Sequence, residues 1–147
     1  MTNMYREVYE KRNFEQCPFC IWTVAHKDDI IYETENYYLT INHFPYTRHH
    51  LLIAPKKHIT SLIDEESNTE KEYLTKQAGK IFLNMGLENY VVLDRSGEKS
   101  GMSIKHIHRH IIPMNDPNDL LYNMSQITEE INFKGDIATY QNILTPV

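Results

Sequence analysis

A chain of 147 residues, 41% hydrophobic and 24% charged, has the size for one hydrophobic core and the polarity of an ordinary globular domain. Its net charge of −5 argues against a nucleic-acid partner, and no apolar run approaches the roughly 18 residues of a membrane span. The N-terminus lacks the basic-then-apolar order of a signal peptide, so a cytoplasmic protein is expected.

From the N-terminus, residues 3–13 space Tyr5, Val8 and Tyr9 among charged neighbours, which predicts a short amphipathic helix. Two β-branched and aromatic segments, 30–34 and 37–42, flank Glu35-Asn36 and predict a hairpin that Pro45 ends. Residues 50–55 predict another strand, apolar enough to lie buried at the centre of a sheet. Ser67-Asn-Thr-Glu70 has the capping-box pattern, in which hydroxyl and carboxylate reciprocally satisfy free backbone N–H groups. Tyr73, Leu74, Gln77, Ala78, Ile81, Phe82 and Met85 follow at helical spacing, with Gly86 as the stop. Residues 90–93 predict a strand, 95–101 a polar turn, and 103–112 a last strand closed by Pro113. Beyond Asn115 the signals are sparse, and 126–133 suits a short helix or a strand. The order hairpin, strand, helix, strand, strand points to an α+β fold with an antiparallel sheet.

Two features carry chemistry. Cys17 and Cys20 form Cys-Pro-Phe-Cys, which without a secretory signal reads as a metal knuckle or a redox pair. His106-Ile-His-Arg-His110 places three histidines at strand alternation, so that all three share one face. Their Cα atoms are then about 6.6 Å apart and the outer pair about 13 Å apart, too far for three ligands from one flat strand to converge on one ion. An imidazole row suits an extended group such as a phosphate chain, each ring tuned as nucleophile, acid or cation. Basic residues cluster at both histidine-rich segments: Arg48, Lys56 and Lys57 near His50, and Arg95, Lys99, Lys105 and Arg109 near the row. Such confined positive charge fits a small anionic ligand.

Gly101-Met-Ser-Ile-Lys-His-Ile-His-Arg-His-Ile-Ile-Pro113 resembles the signature of the histidine triad (HIT) superfamily. Asn42-His-Phe-Pro-Tyr-Thr-Arg-His-His50, followed by an apolar strand and Pro55-Lys-Lys-His58, resembles the family's upstream block, and Cys17-Pro-Phe-Cys20 resembles its zinc-containing branch. The resemblance implies one HIT domain over 1–147: a five-stranded antiparallel sheet, one main helix and the short N-terminal helix, often as a homodimer. The motifs leave 114–147 as a C-terminal extension. The implied activity is hydrolysis, or less readily phosphorolysis, at the α-phosphate of a nucleoside phosphoramidate or dinucleoside polyphosphate through a covalent nucleotidyl-histidine. A purine, above all adenosine, is the implied base. His108 is the implied nucleophile, and His110 and Ser103 contact the phosphate and aid departure of the leaving group. Asn42 binds the ribose, Arg95 a distal phosphate, and Phe19, Ile21, Ile41 and Phe44 are candidates for the base pocket. The implied structural zinc ligands are Cys17, Cys20, His50 and His106. His26, His43, His49 and His58 are left as surface or packing residues, His58 being the best placed to be otherwise.

The chain also departs from the pattern. Met102 replaces a usual Gln and cannot donate a hydrogen bond to phosphate. Arg109 takes an apolar position, where it is expected to meet solvent, a partner subunit or the tail; Arg95 replaces an amide-bearing residue, and His49 a Gly. Met102 and Arg95 leave standing a nucleotide-binding or sensing module without turnover, and a third alternative is a zinc-dependent hydrolase with the row as ligands.

Overall fold

The computed structural model describes residues 17–102, 104–116, 131 and 133–145. The helix expected over 3–13 lies outside them, as does most of 126–133; Ile131 and Phe133 are in neither helix nor strand. Five antiparallel strands, β1 (Ile30–Glu33), β2 (Tyr37–Ile41), β3 (Leu51–Pro55), β4 (Tyr90–Asp94) and β5 (Arg109–Pro113), form one sheet in the order β1-β2-β3-β5-β4. The helices described are α1 (Trp22–Ala25), α2 (Thr69–Asn84) and α3 (Gly135–Leu144), the last not anticipated from the sequence. No described helix is long and apolar enough to cross a membrane.

β2 and β3 are buried along their whole length, as expected of central strands, and their alternation divides the interior in two. Leu39, Ile41, Leu51, Ile53 and Ile111 face Leu74, Ala78, Ile81 and Phe82 of α2 and Ile137 and Tyr140 of α3. Tyr38, Leu52 and Ala54 face the other way, onto Phe19, Trp22 and Phe44. Burying each of the larger apolar side chains contributes roughly 1.5–3 kcal/mol, so both faces help hold the sheet.

The ends of α2 show where local signals hold. Gly86 adopts φ 74°, and the bonds Leu87 N–H to the Phe82 carbonyl (2.8 Å) and Gly86 N–H to the Leu83 carbonyl (3.2 Å) close the helix as a Schellman motif. At the N-terminus the capping box does not form. The Glu70 carboxylate instead accepts hydrogen bonds from the backbone N–H and side-chain amide of Asn36, at 2.9 and 2.8 Å, tying the helix start to the β1–β2 turn.

β5 is shorter than the strand expected over 103–112, with a physical cause. The Pro55 carbonyl, at the end of β3, accepts a hydrogen bond from His106 Nε2 (2.8 Å), while the Ile107 N–H donates to the Ile59 carbonyl (2.7 Å). With the ladder groups engaged elsewhere, pairing between β3 and β5 begins only at Ile53↔Arg109. His106 and His108 therefore precede the strand, and only His110 lies within it.

Candidate functional site

Each histidine of the row has one ring nitrogen committed, and that commitment fixes what the other can do. His108 Nδ1 donates to the His106 carbonyl at 2.8 Å, which leaves Nε2 as the nitrogen with the lone pair. His108 is half-buried, and the Phe19 ring packs against it at 4.6 Å between centroids. Burial pushes its pKa down to about 4, overcoming the carbonyl contact that favours the charged form. The ring is neutral at pH 7, with its lone pair on Nε2.

His110 belongs to a second chain of contacts. The Tyr46 N–H donates to His50 Nδ1 at 3.0 Å, so His50 carries its proton on Nε2 and donates to His110 Nδ1 at 2.9 Å. His110 then carries its proton on Nε2, and among the described residues that buried nitrogen has no hydrogen-bond partner. Burial, with His108 beside it, holds His110 well below the ordinary histidine range and lowers His50 to about 3. The outcome is an uncharged N–H donor beside an uncharged lone pair, their rings 4.9 Å apart.

Asn42 is buried at 4% exposure, its Oδ1 accepting the Phe44 N–H at 2.8 Å and its Nδ2 lying 3.3 Å from His50 Nδ1. Any ribose contact shares an amide already engaged inside the protein. Arg95 Nη1 lies 3.3 Å from the Tyr46 hydroxyl, and its charge helps depress His50, His108 and His110, placing it beside the row. Gly101 makes room for it: a Cβ there would come within 3.3 Å of Arg95 Nε. Ser103 lies outside the described residues. Of the candidate base-pocket residues, Phe19 and Phe44 share the core on the row's side of the sheet, whereas Ile41 faces α2 and does not join them.

Arg109 does not reach solvent or the tail as expected. Its Nε and Nη2 form a bidentate pair with Asp94 (2.9 and 2.8 Å), while Nη1 bonds Glu72 (2.8 Å) and Thr75 (3.0 Å). Asp94↔Arg109 is the terminal pair of the β4–β5 ladder, so the ion pair fixes the register directly beneath His108.

The cysteine pair gathers at the other end of the row. Cys17, Cys20, His106 and His58 bring one donor atom each within 4.8 Å of one another. His106 Nδ1 lies 3.4 Å from each Sγ and 3.3 Å from His58 Nδ1, and Cys20 Sγ lies 3.2 Å from His58 Nδ1. A zinc tetrahedron with bonds of about 2.0–2.1 Å to nitrogen has nitrogen–nitrogen edges of about 3.3 Å, so this donor set fits the ion in chemistry and span. The Pro55 carbonyl holds the His106 proton on Nε2 and so aims the Nδ1 lone pair at the thiols. Burial pushes the Cys17 thiol up to about 11, the opposite of a redox-active thiolate.

His50, expected as the fourth ligand, is absent from this set. The antiparallel register explains why: Leu51↔Ile111 puts His50 at the far end of β3 from Pro55, beside His110, whereas His106 lies past the Pro55 end. His58 follows β3 at that near end. The signal that could have found it is the strand pairing: residues preceding β5 must neighbour residues following β3.

The HIT domain family matches residues 24–116. An uncharacterized HIT-like protein of Chlamydia muridarum is 39% identical over 89 residues, which cover 57% of this chain and 69% of that protein. An adenosine 5'-monophosphoramidase of Saccharomyces cerevisiae is 31% identical over 103 residues, covering 66% of this chain and 63% of that enzyme. Among solved structures, a zinc-bound histidine triad family protein from Mycobacterium smegmatis superposes with a TM-score of 0.67 at 20% identity, covering 88% of this chain and 93% of that one.

Proposed function

Because the chain belongs to the HIT domain family, whose members include the yeast monophosphoramidase, we propose that it is a nucleotide hydrolase or transferase acting at an α-phosphate through a nucleotidyl-His108 intermediate. The substrate is a nucleoside phosphoramidate or a dinucleoside polyphosphate, with a purine and by preference adenosine. The observation that carries this reading is the pair of tautomers: a lone pair on His108 Nε2 beside an N–H on His110 that has no partner among the described residues.

In the first step His108 Nε2 attacks the α-phosphorus and an N–P bond forms. The bond to the departing amine or phosphate breaks, and the leaving group keeps its electron pair and takes a proton from solvent. The positive charge that develops on the His108 ring is stabilised through Nδ1–H by the His106 carbonyl, while His110 Nε2–H holds a phosphoryl oxygen. Ser103 is assigned the same phosphate group, and Arg95 a more distal one. In the second step water attacks the phosphorus, releases its proton to solvent, and the N–P electron pair returns to His108.

Cys17, Cys20, His58 and His106 are the residues that would hold a structural zinc ion, which supplies a cross-link between the N-terminal segment and the loops after β3 and before β5. A homodimer suits the sheet edge. Tyr90 and Val92 of β4 are each 42% exposed, and β4 pairs on one side with β5 and on the other with no described strand. The extension from residue 114 is assigned to the same domain, since Ile137 and Tyr140 enter the α2 core.

Incubation with adenosine phosphoramidate and with diadenosine tetraphosphate tests the reading. The expected result is AMP release and, after acid-free quenching, an adenylyl group on the peptide containing His108. An adduct on another histidine, or nucleotide binding with no AMP release, overturns it, the second outcome in favour of a sensing module.

A further inference from the structure

A second group of ligand-type side chains lies outside the row and shares no residue with the cysteine site. His26, Asp29 and His43 bring one donor atom each within 4.8 Å of one another. The chain assembles them by local rules. His26 closes the turn after α1, where its N–H bonds the Trp22 carbonyl at 2.8 Å. A single 3₁₀ turn follows and brings the Asp29 N–H back to the His26 carbonyl at 3.0 Å. His43 comes just after β2, and the antiparallel pairing Ile30↔Thr40 places that end of β2 beside the residue preceding β1, which is Asp29.

His43 Nε2 lies 2.7 Å and His26 Nδ1 3.7 Å from the same carboxylate oxygen, Asp29 Oδ2. The Asp29 and His43 side chains are each 2% exposed and that of His26 is 13% exposed. A carboxylate so buried ordinarily has its acceptors filled, yet Asp29 Oδ1 has no hydrogen bond among the described residues. The Lys134 ammonium stands 3.7 Å from it on a side chain that is 58% exposed and able to withdraw. The Trp22 ring roofs the group at 4.4 Å from His26 and 4.8 Å from His43, which keeps bulk water from one side.

Two imidazoles and one carboxylate converging on one point, with an acceptor left over, form the donor set of a divalent transition-metal ion and not of calcium or magnesium. We propose that His26, Asp29 and His43 bind such an ion, of the zinc, cobalt or nickel class, with water completing its shell. The site locks the open end of the β1–β2 hairpin, one residue from Asn42, and works independently of the nucleotide reaction. Lys134 competes with the ion for Asp29.

Trp22 is the sole tryptophan of the chain, so its emission reports on this site. Full-length protein is first loaded with one equivalent of zinc for the thiolate site and then titrated with cobalt(II), following Trp22 emission and bound metal by elemental analysis. The expected result is uptake of a second equivalent accompanied by quenching. His26→Gln, a change at the least buried ligand, and Asp29→Asn both lose that equivalent and its quenching. Both keep the thiolate-to-cobalt absorption when the first site is loaded with cobalt instead. Lys134→Ala tightens the second equivalent. Saturation of the wild-type chain at one equivalent overturns the proposal, and so does quenching that survives in folded His26→Gln.

Discussion

The two ends of the histidine row are built from the same side chain and are set to opposite tasks. At one end His106 donates to the Pro55 carbonyl and points a lone pair at two thiols and His58; at the other His110 accepts from His50 and keeps its proton on a buried Nε2 that has no partner among the described residues. His108, between them, is tied through Nδ1 to the His106 backbone and keeps its lone pair on Nε2. The difference shows that residue type and spacing do not settle a histidine's role. The partner of its second nitrogen does, and here that partner is backbone geometry or another ring.

If the ends are as distinct as this geometry makes them, they break differently. The largest effect falls on His108→Gly, which should lower AMP release by at least on the order of 10³-fold in steady-state assays while nucleotide titration shows binding retained. Next comes the metal end: chelation, or His58→Ala, should lower the melting temperature by about 10 °C. His50→Ala should leave the bound zinc unchanged, and a loss of zinc there would restore His50 to the ligand set. At the relay end His110→Ala should slow turnover by about 10²-fold, the cost of one donor to a phosphoryl oxygen, without changing metal content. His50→Ala combined with His110→Ala should cost little more than either alone, because they act as one chain.

Two smaller effects concern the ground beneath the row. Arg109→Met leaves Asp94 without its bidentate partner and should destabilise the fold by about 2 kcal/mol in urea denaturation, with the β4–β5 register loosened. The smallest at neutral pH is a dependence on acid, which grows only as the medium is acidified. His50 is buried as the neutral form beside His110, His108 and Arg95, with its folded value lowered to about 3 from an ordinary 6.5. Its contribution to stability is complete above pH 6.5 and is lost as the pH falls toward 3, at about 1.4 kcal/mol per unit, because the unfolded chain takes up the proton first. His50→Gln should flatten the slope of unfolding free energy across that window; an unchanged slope would show that other groups set it.

How much of this could be read beforehand varies with the range of the interaction that decides it. The sheet, the central burial of β3, the Gly86 stop and the company of Cys17, Cys20 and His106 were legible, because local pattern and motif order carry them. The limits of β5 were not, since they turn on a side chain capturing the Pro55 carbonyl. The capping box failed because Asn36, distant in sequence, offered Glu70 two donors at once. His58, and not His50, stands with the two thiols and His106 because strand register decides it, which no spacing along a single segment reveals. Arg109 is an anomaly in an apolar slot only when read along the chain, because Asp94, Glu72 and Thr75, which surround it, come from other elements.

The neutrality of the buried imidazoles has one more consequence. A row of imidazolium ions would hold any passing anion, and inorganic phosphate or released nucleotide would occupy it as readily as substrate. Uncharged rings offer direction without long-range capture, so the rings select by the ligand's shape while Arg95, beside them, supplies the charge that salt can screen. In the proposed reaction, neutral rings leave the product free to go.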